Sequence, residues 1–108
     1  MKNTSELSVL GDFSMPEDTL VIHPNDGFDL GLMTTSHPVY IYRGISLADF
    51  KAKNGDRSGG KILLKNECRM GSVELSTRVW EKLGKPKRVQ LYYDEPNILI
   101  WVPPQKES

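Results

Sequence analysis

The stretch Met70–Gly84, MGSVELSTRVWEKLG, changes its period halfway through. Val73 and Leu75 alternate with Ser72 and Glu74, as in a strand with one face on a core. From Ser76 the spacing turns helical. Val79 and Leu83 stand four apart and Trp80 and Leu83 three apart, which makes one apolar stripe over two turns. The Ser76 hydroxyl is placed to cap a free amide of the first turn. Gly84 supplies a left-handed stop, and Pro86 prevents the helix from resuming. Nothing separates the two patterns, so the strand is predicted to run directly into the helix.

Upstream, KILLKNECRM (61–70) predicts a strand and then a bend near Gly71. Downstream, KRVQLYYDEPNILIWVP (87–103) predicts a strand pair. Val89, Leu91 and Tyr93 alternate with polar positions, DEPN turns the chain, and ILIWV is apolar at every position. A continuous apolar run of that length implies burial on both faces. A segment of about 45 residues is too small to supply that cover alone. The strand therefore needs the first half of the chain or a second subunit.

The first half reads more loosely. Residues 1–15 have weak periodicity and are expected to be a flexible N-terminus. Thr19–His23 is a β-rich run, HPNDG (23–27) is a dense turn signal, and Phe28, Leu30 and Leu32 alternate after it. Together these predict a β-hairpin. PVYIYRG (38–44) predicts a third strand. SLADFKAK (46–53) predicts a short helix capped by Ser46, with Leu47 and Phe50 on one face. NGDRSGG (54–60) carries three glycines and is expected to be a linker. The expected organisation is a flexible terminus at 1–15, a β-rich lobe at 16–53, the linker at 54–60, a second lobe at 61–102 and a tail at 103–108. The fold class is mainly β, with a small barrel or two β lobes and two short helices.

Composition is compatible with a packed core, since 38% of the 108 residues are hydrophobic and 26% charged. Formal net charge is zero, but it divides unevenly. Residues 1–60 hold five Lys/Arg against eight Asp/Glu, and residues 61–108 hold nine against six. The basic second half invites an anionic partner, and the acidic first half invites a protein partner. Cys68 is the only cysteine, so no intrachain disulfide forms. With no signal-peptide pattern, this predicts a reducing cytoplasmic setting. No apolar run approaches membrane-spanning length.

The order strand, strand, short helix, hairpin resembles the AbrB/SpoVT-type swapped-hairpin family of bacterial transcription factors and antitoxins. The resemblance covers roughly Lys61 to Val102, and it is best at Gly71–Gly84. The family pattern there runs glycine, basic, apolar, variable, Ile/Leu, Pro, then a short helix ending Leu-Gly. This chain has Gly71, Ser72, Val73, Glu74, Leu75 and Ser76, with the helix ending at Leu83-Gly84. It departs from the pattern at Ser72, where a basic residue is usual, at Ser76, where proline is usual, and in the helix, where it has Trp80 and Glu81.

The resemblance implies an interlocked homodimer in which two chains exchange hairpins to build one barrel. A short helix would plug its end, and ILIWV would be buried between subunits. The first half has no counterpart in the minimal family domain. It is either a partner-binding lobe or a degenerate second barrel half that lets one chain close the barrel.

The DNA-contact candidates are Lys61, Lys65, Arg69, Arg78, Lys82, Lys85, Lys87 and Arg88. Lys61, Lys65 and Arg69 recur at even spacing, so an unbroken strand would put them on one face, able to meet phosphates. They equally suit the polar face of a half-buried strand and a solvated helix. His23, Asp26, Asp29 and His37 lie close in sequence but match no compact metal-ligand spacing. There is no nucleophile elbow, no phosphate-loop ending and no base near Cys68. Most of Tyr40, Tyr42, Trp80, Tyr92, Tyr93 and Trp101 are expected to pack in the core, although exposed ones could stack on single-stranded bases. The expected function is a DNA-binding transcriptional regulator or antitoxin-like protein, homodimeric, without catalysis or cofactor. The alternative is a protein-interaction module that keeps the fold without binding DNA.

Overall fold

In a computed structural model, which describes residues 1–104, β-strand passes into α-helix at Ser76 with no intervening loop. Strand β6 (Ser72–Ser76) ends where helix α3 (Thr77–Lys82) begins, and the Ser76 hydroxyl accepts the Arg78 backbone N–H at 3.2 Å. The remaining strands are β1 (Lys2–Asn3), β2 (Leu7–Asp12), β3 (Thr19–Ile22), β4 (Ser36–Arg43), β5 (Arg57–Leu64), β7 (Arg88–Asp94) and β8 (Asn97–Trp101). Helices α1 (Pro24–Asp29) and α2 (Leu47–Lys51) complete the described elements.

The fold is mainly β, and its sheet closes into a seven-stranded barrel. Strand order is β7-β2-β6-β3-β5-β4-β8, and pairing of β7 with β8 seals the ring. Strand β1 extends the line of β2 along β7, with Lys2 opposite Tyr93 and Leu7 opposite Val89. The two halves of the chain interleave. β2 runs parallel to β6, β3 parallel to β5, and β4 parallel to β8.

One chain therefore completes the barrel that the resemblance assigns to two. The core explains the closure. Inward residues alternate along each strand, including Leu20 and Ile22, Ile62 and Leu64, Val73 and Leu75, Val89 and Leu91, and Ile98 and Ile100. They form one continuous apolar cluster drawn from both halves.

Double-sided burial of ILIWV is present, but α2 provides it. Ile98 and Ile100 face the barrel interior, whereas Leu99 and Trp101 face outward. There they meet Phe50 and Leu47 of α2, together with Tyr42 and Tyr92. Phe50 is fully buried, and its ring stands edge-on to Tyr42 at 5.3 Å. The short helix behind SLADFKAK thus covers the outer face, so of the two sources of cover that the sequence left open, the first half of the chain supplies it.

Five sequence expectations are corrected. The N-terminus expected to be flexible supplies β1 and β2, because Leu7 is a core residue and Thr4 is buried with its hydroxyl accepting the Leu91 N–H at 3.1 Å. HPNDG begins a helix instead of turning a hairpin. Its proline sits in the first helical turn, and His23 caps it through Nδ1. Proline suits that position as well as it suits a turn. β3 and β4 consequently do not pair with each other, and three helices, not two, are found among the described residues.

The supposed linker 54–60 contains the start of β5, with Arg57 opposite Tyr42 and Gly59 opposite Tyr40. Gly60 serves close packing, since a Cβ on it would lie 2.2 Å from the Asp18 carbonyl oxygen. No lobe boundary falls there, because β5 lies between β3 and β4 in one sheet. The tail expected at 103–108 falls partly outside the described residues, from 105 on.

Candidate interaction surface

The helices α1 and α3 lie at opposite ends of the β3–β6 pair. These strands are antiparallel, with Leu20 opposite Leu75 and Ile22 opposite Val73, and each runs into its own helix. Val79 packs into the core at the α3 end, with Trp80 and Leu83 against it. Leu30 and Leu32, just beyond α1, belong to the same core.

This arrangement distributes the eight candidate cations, all of which are exposed. Lys61 lies within β5, opposite Thr19 and Pro38. β5 ends at Leu64, so Lys65 and Arg69 leave the strand and sit in its connection to β6. The single-strand face that the even spacing implied does not form. Arg78 and Lys82 lie on α3, and Lys85 follows it with its ammonium 5.9 Å from the Trp80 ring centroid. Lys87 and Arg88 lead into β7, where Arg88 pairs with Ser8, and Ser8 pairs on its other side with Ser72. The length of β6, about 13 Å at strand rise, separates the Lys65–Arg69 connection from α3.

Acidic residues of the first half mix with the cations at the α3 end. Lys82 Nζ meets Glu17 Oε1 at 2.8 Å. Its hydrogen bond and then its charge hold the Glu17 carboxyl below the usual carboxylate range, with smaller contributions from Arg78 and Arg43. Asp12 is also held low, by hydrogen bonds from the Ser14 hydroxyl and backbone N–H.

Between the β2–β3 connection and α3 runs a groove of about 480 Å³. Phe13, Met15 and Pro16 form one wall, and Thr77, Arg78 and Glu81 the other. Phe13 is 92% exposed, the most of any large apolar side chain among the described residues, ahead of Met33 at 78%. No sequence signal marked it, because a lone aromatic in DFSMPE has no periodic neighbours.

The residues considered for chemistry are engaged elsewhere. His23 Nδ1 accepts the Asn25 N–H at 3.0 Å, and His37 Nε2 accepts the Thr34 N–H at 3.2 Å. Asp26 is buried and bonds the Gly71 N–H. No group of three or more His, Cys, Asp or Glu is placed to hold a metal ion among the described residues. Cys68 is 2% exposed, its Sγ near the carbonyl oxygens of Val21 and Ser72. Burial first, and then the Glu74 charge, push its thiol up to about 11, which leaves little nucleophilic thiolate.

Of the aromatics, Tyr42 is buried and Tyr92 stands edge-on to Trp101 at 5.8 Å. Trp80 donates its indole N–H to the Pro86 carbonyl at 2.9 Å. Tyr40 is exposed, and the Arg57 guanidinium lies 4.1 Å from its ring centroid. No helix among the described residues is long and apolar enough to cross a membrane. No family model, curated protein or solved structure matches the chain.

Proposed function

We propose that this chain is a non-catalytic protein-interaction module that works through the α3 end of its barrel. The observation that carries the reading is Phe13, nearly fully exposed at the lip of the groove beside α3. Leaving a phenylalanine in water forgoes roughly 1.5–3 kcal/mol of burial, and such anchors concentrate at protein interfaces. The wall opposite offers Arg78 and Glu81, so the groove combines an apolar anchor with charges of both signs. A mixed rim of this kind suits a protein surface better than a run of phosphates.

A second reading, a DNA-binding regulator or antitoxin-like protein, draws on a different place. The Ser72 N–H bonds the Arg69 carbonyl at 3.1 Å, and Arg88 lies two strands from Ser72. Arg69 and Arg88 therefore flank one stretch of outer sheet. Glu67 and Glu74 line a groove on the same side with Lys65, which weakens the case for phosphate.

Photo-crosslinking tests the first reading. A benzophenone side chain replaces Phe13 in one preparation and Phe28, exposed on α1, in another. The expected result is a discrete protein adduct from position 13 that disappears in the Arg78→Glu background, and none from position 28. Equal or absent labelling at the two positions would overturn the reading.

A further inference from the structure

We propose that the groove at the α3 end takes a second copy of this chain, the two packed about a twofold axis. The proposal rests on the interaction reading above and names the partner. Closure of the barrel is the starting point. Each of its seven strands has a neighbour on both sides, and the only one-sided strand of the sheet among the described residues is the two-residue β1, so little edge is left for copies to join strand to strand. Assembly is therefore expected to use side-chain surfaces.

The α3 end has the features that a self-complementary surface needs. A twofold contact sets each patch against itself, so every group must find its complement within the same patch. Phe13 is a projecting apolar knob, and the groove beside it, walled by Met15 and Pro16, is a receptor for such a knob. Arg78 and Glu81 lie three apart on α3, one surface neighbour from the other. Neither forms an ion pair among the described residues. A twofold axis passing near α3 brings Arg78 of each copy against Glu81 of the other, which makes two ion pairs and leaves neither charge without a partner.

Lys82 and Glu17 already pair within one copy and need no partner. The formal net charge of zero adds no general repulsion between copies. An acidic or a basic foreign segment would satisfy only one of Arg78 and Glu81. A second copy satisfies both.

Sedimentation velocity over a wide concentration range tests this, using the full chain. The wild type is expected to shift from monomer to dimer as concentration rises. Phe13→Ser and Arg78→Glu are each expected to weaken the dimer at least about tenfold. The double swap Arg78→Glu/Glu81→Arg reverses both partners and is expected to restore dimerisation to near the wild-type level. All three positions are exposed, and near-ultraviolet circular dichroism verifies that the variants remain folded.

A wild type that stays monomeric throughout would overturn the proposal, and so would a double swap no better than the single. Photo-crosslinking at position 13 separates the two readings. An adduct with a different protein sinks the dimer and leaves the interaction reading intact. No adduct at all sinks both, and an adduct between two copies of this chain supports both.

Discussion

The Asp26 carboxylate on α1 accepts the backbone N–H of Gly71 at 2.8 Å, joining positions 45 apart in sequence. Asp26 is 6% exposed, and Gly71 takes a left-handed φ of +81° that disfavours other residues. The bond fixes the turn into β6 against the helix that ends β3. Removing the carboxylate leaves a part-buried amide without its partner, which costs about 1–3 kcal/mol. Asp26→Ala should lower the urea midpoint accordingly, and Asp26→Asn, which keeps a carbonyl acceptor, should lose less. Equal midpoints for wild type and Asp26→Ala would show that the bond does not hold the turn.

Two adjacent glycines in β5 should behave differently. A Cβ on Gly60 meets the Asp18 carbonyl oxygen at 2.2 Å and Ile41 Cδ1 at 2.7 Å, while one on Gly59 meets nothing within 4 Å. Backbone cannot yield as a flexible side chain does, so Gly60→Ala should destabilise by about 1–3 kcal/mol or more. Gly59→Ala should be neutral, or stabilise by up to about 1 kcal/mol through the unfolded chain. Thermal denaturation of the pair checks this, and similar effects at both positions would refute the register of β5 against β3.

Phe50 and Phe13 make a second contrast. Phe50 is fully buried under α2, and Phe50→Ala should cost about 3–5 kcal/mol in chemical denaturation. Phe13 touches little of its own chain, so Phe13→Ala should change monomer stability by less than about 0.5 kcal/mol while removing partner binding. A large stability loss at Phe13 would make it a structural residue and undercut the interaction surface.

The Cys68 thiol, pushed up to about 11 by burial, should resist alkylation in the native protein at neutral and moderately alkaline pH. The sign of the linkage follows from which state holds the proton more tightly. The native state does, so its contribution is complete below the ordinary thiol pKa and is lost as pH rises through about 11. Labelling with iodoacetamide should therefore follow unfolding in a urea series. Rapid labelling of the native protein at pH 8 would place the thiol in a different environment.

The second half of the fold was largely legible because its signals are local. The alternation of Val73 and Leu75, the cap at Ser76 and the stop at Gly84 act within a few residues, and the structure follows them. The both-sided burial of ILIWV was also legible, but its cause was not. The five-residue helix Leu47–Lys51 does not announce in sequence which strand it covers. The first half was misread where local signals are ambiguous. Pro24 and Gly27 fit a turn as well as a helix start, and the glycines at 55, 59 and 60 resemble a linker until Asp18 is placed against Gly60. Pairing of β2 with β6 spans more than 60 residues, and periodicity carries no information about it. The cations were identifiable by type, but their grouping depended on β5 ending at Leu64.

On the interaction reading proposed above, these cations, divided between the Lys65–Arg69 connection and α3 and mixed with Glu17, Glu67, Glu74 and Glu81, make no phosphate-binding face. Fluorescence anisotropy with a mixed-sequence duplex, from low to physiological salt, tests this most directly. The predicted result is little or no binding even at low salt, and no difference between wild type and the Lys65→Ala/Arg69→Ala/Arg88→Ala triple variant. Tight binding that weakens steeply with salt and disappears in the triple variant would contradict the claim and establish the DNA reading in its place.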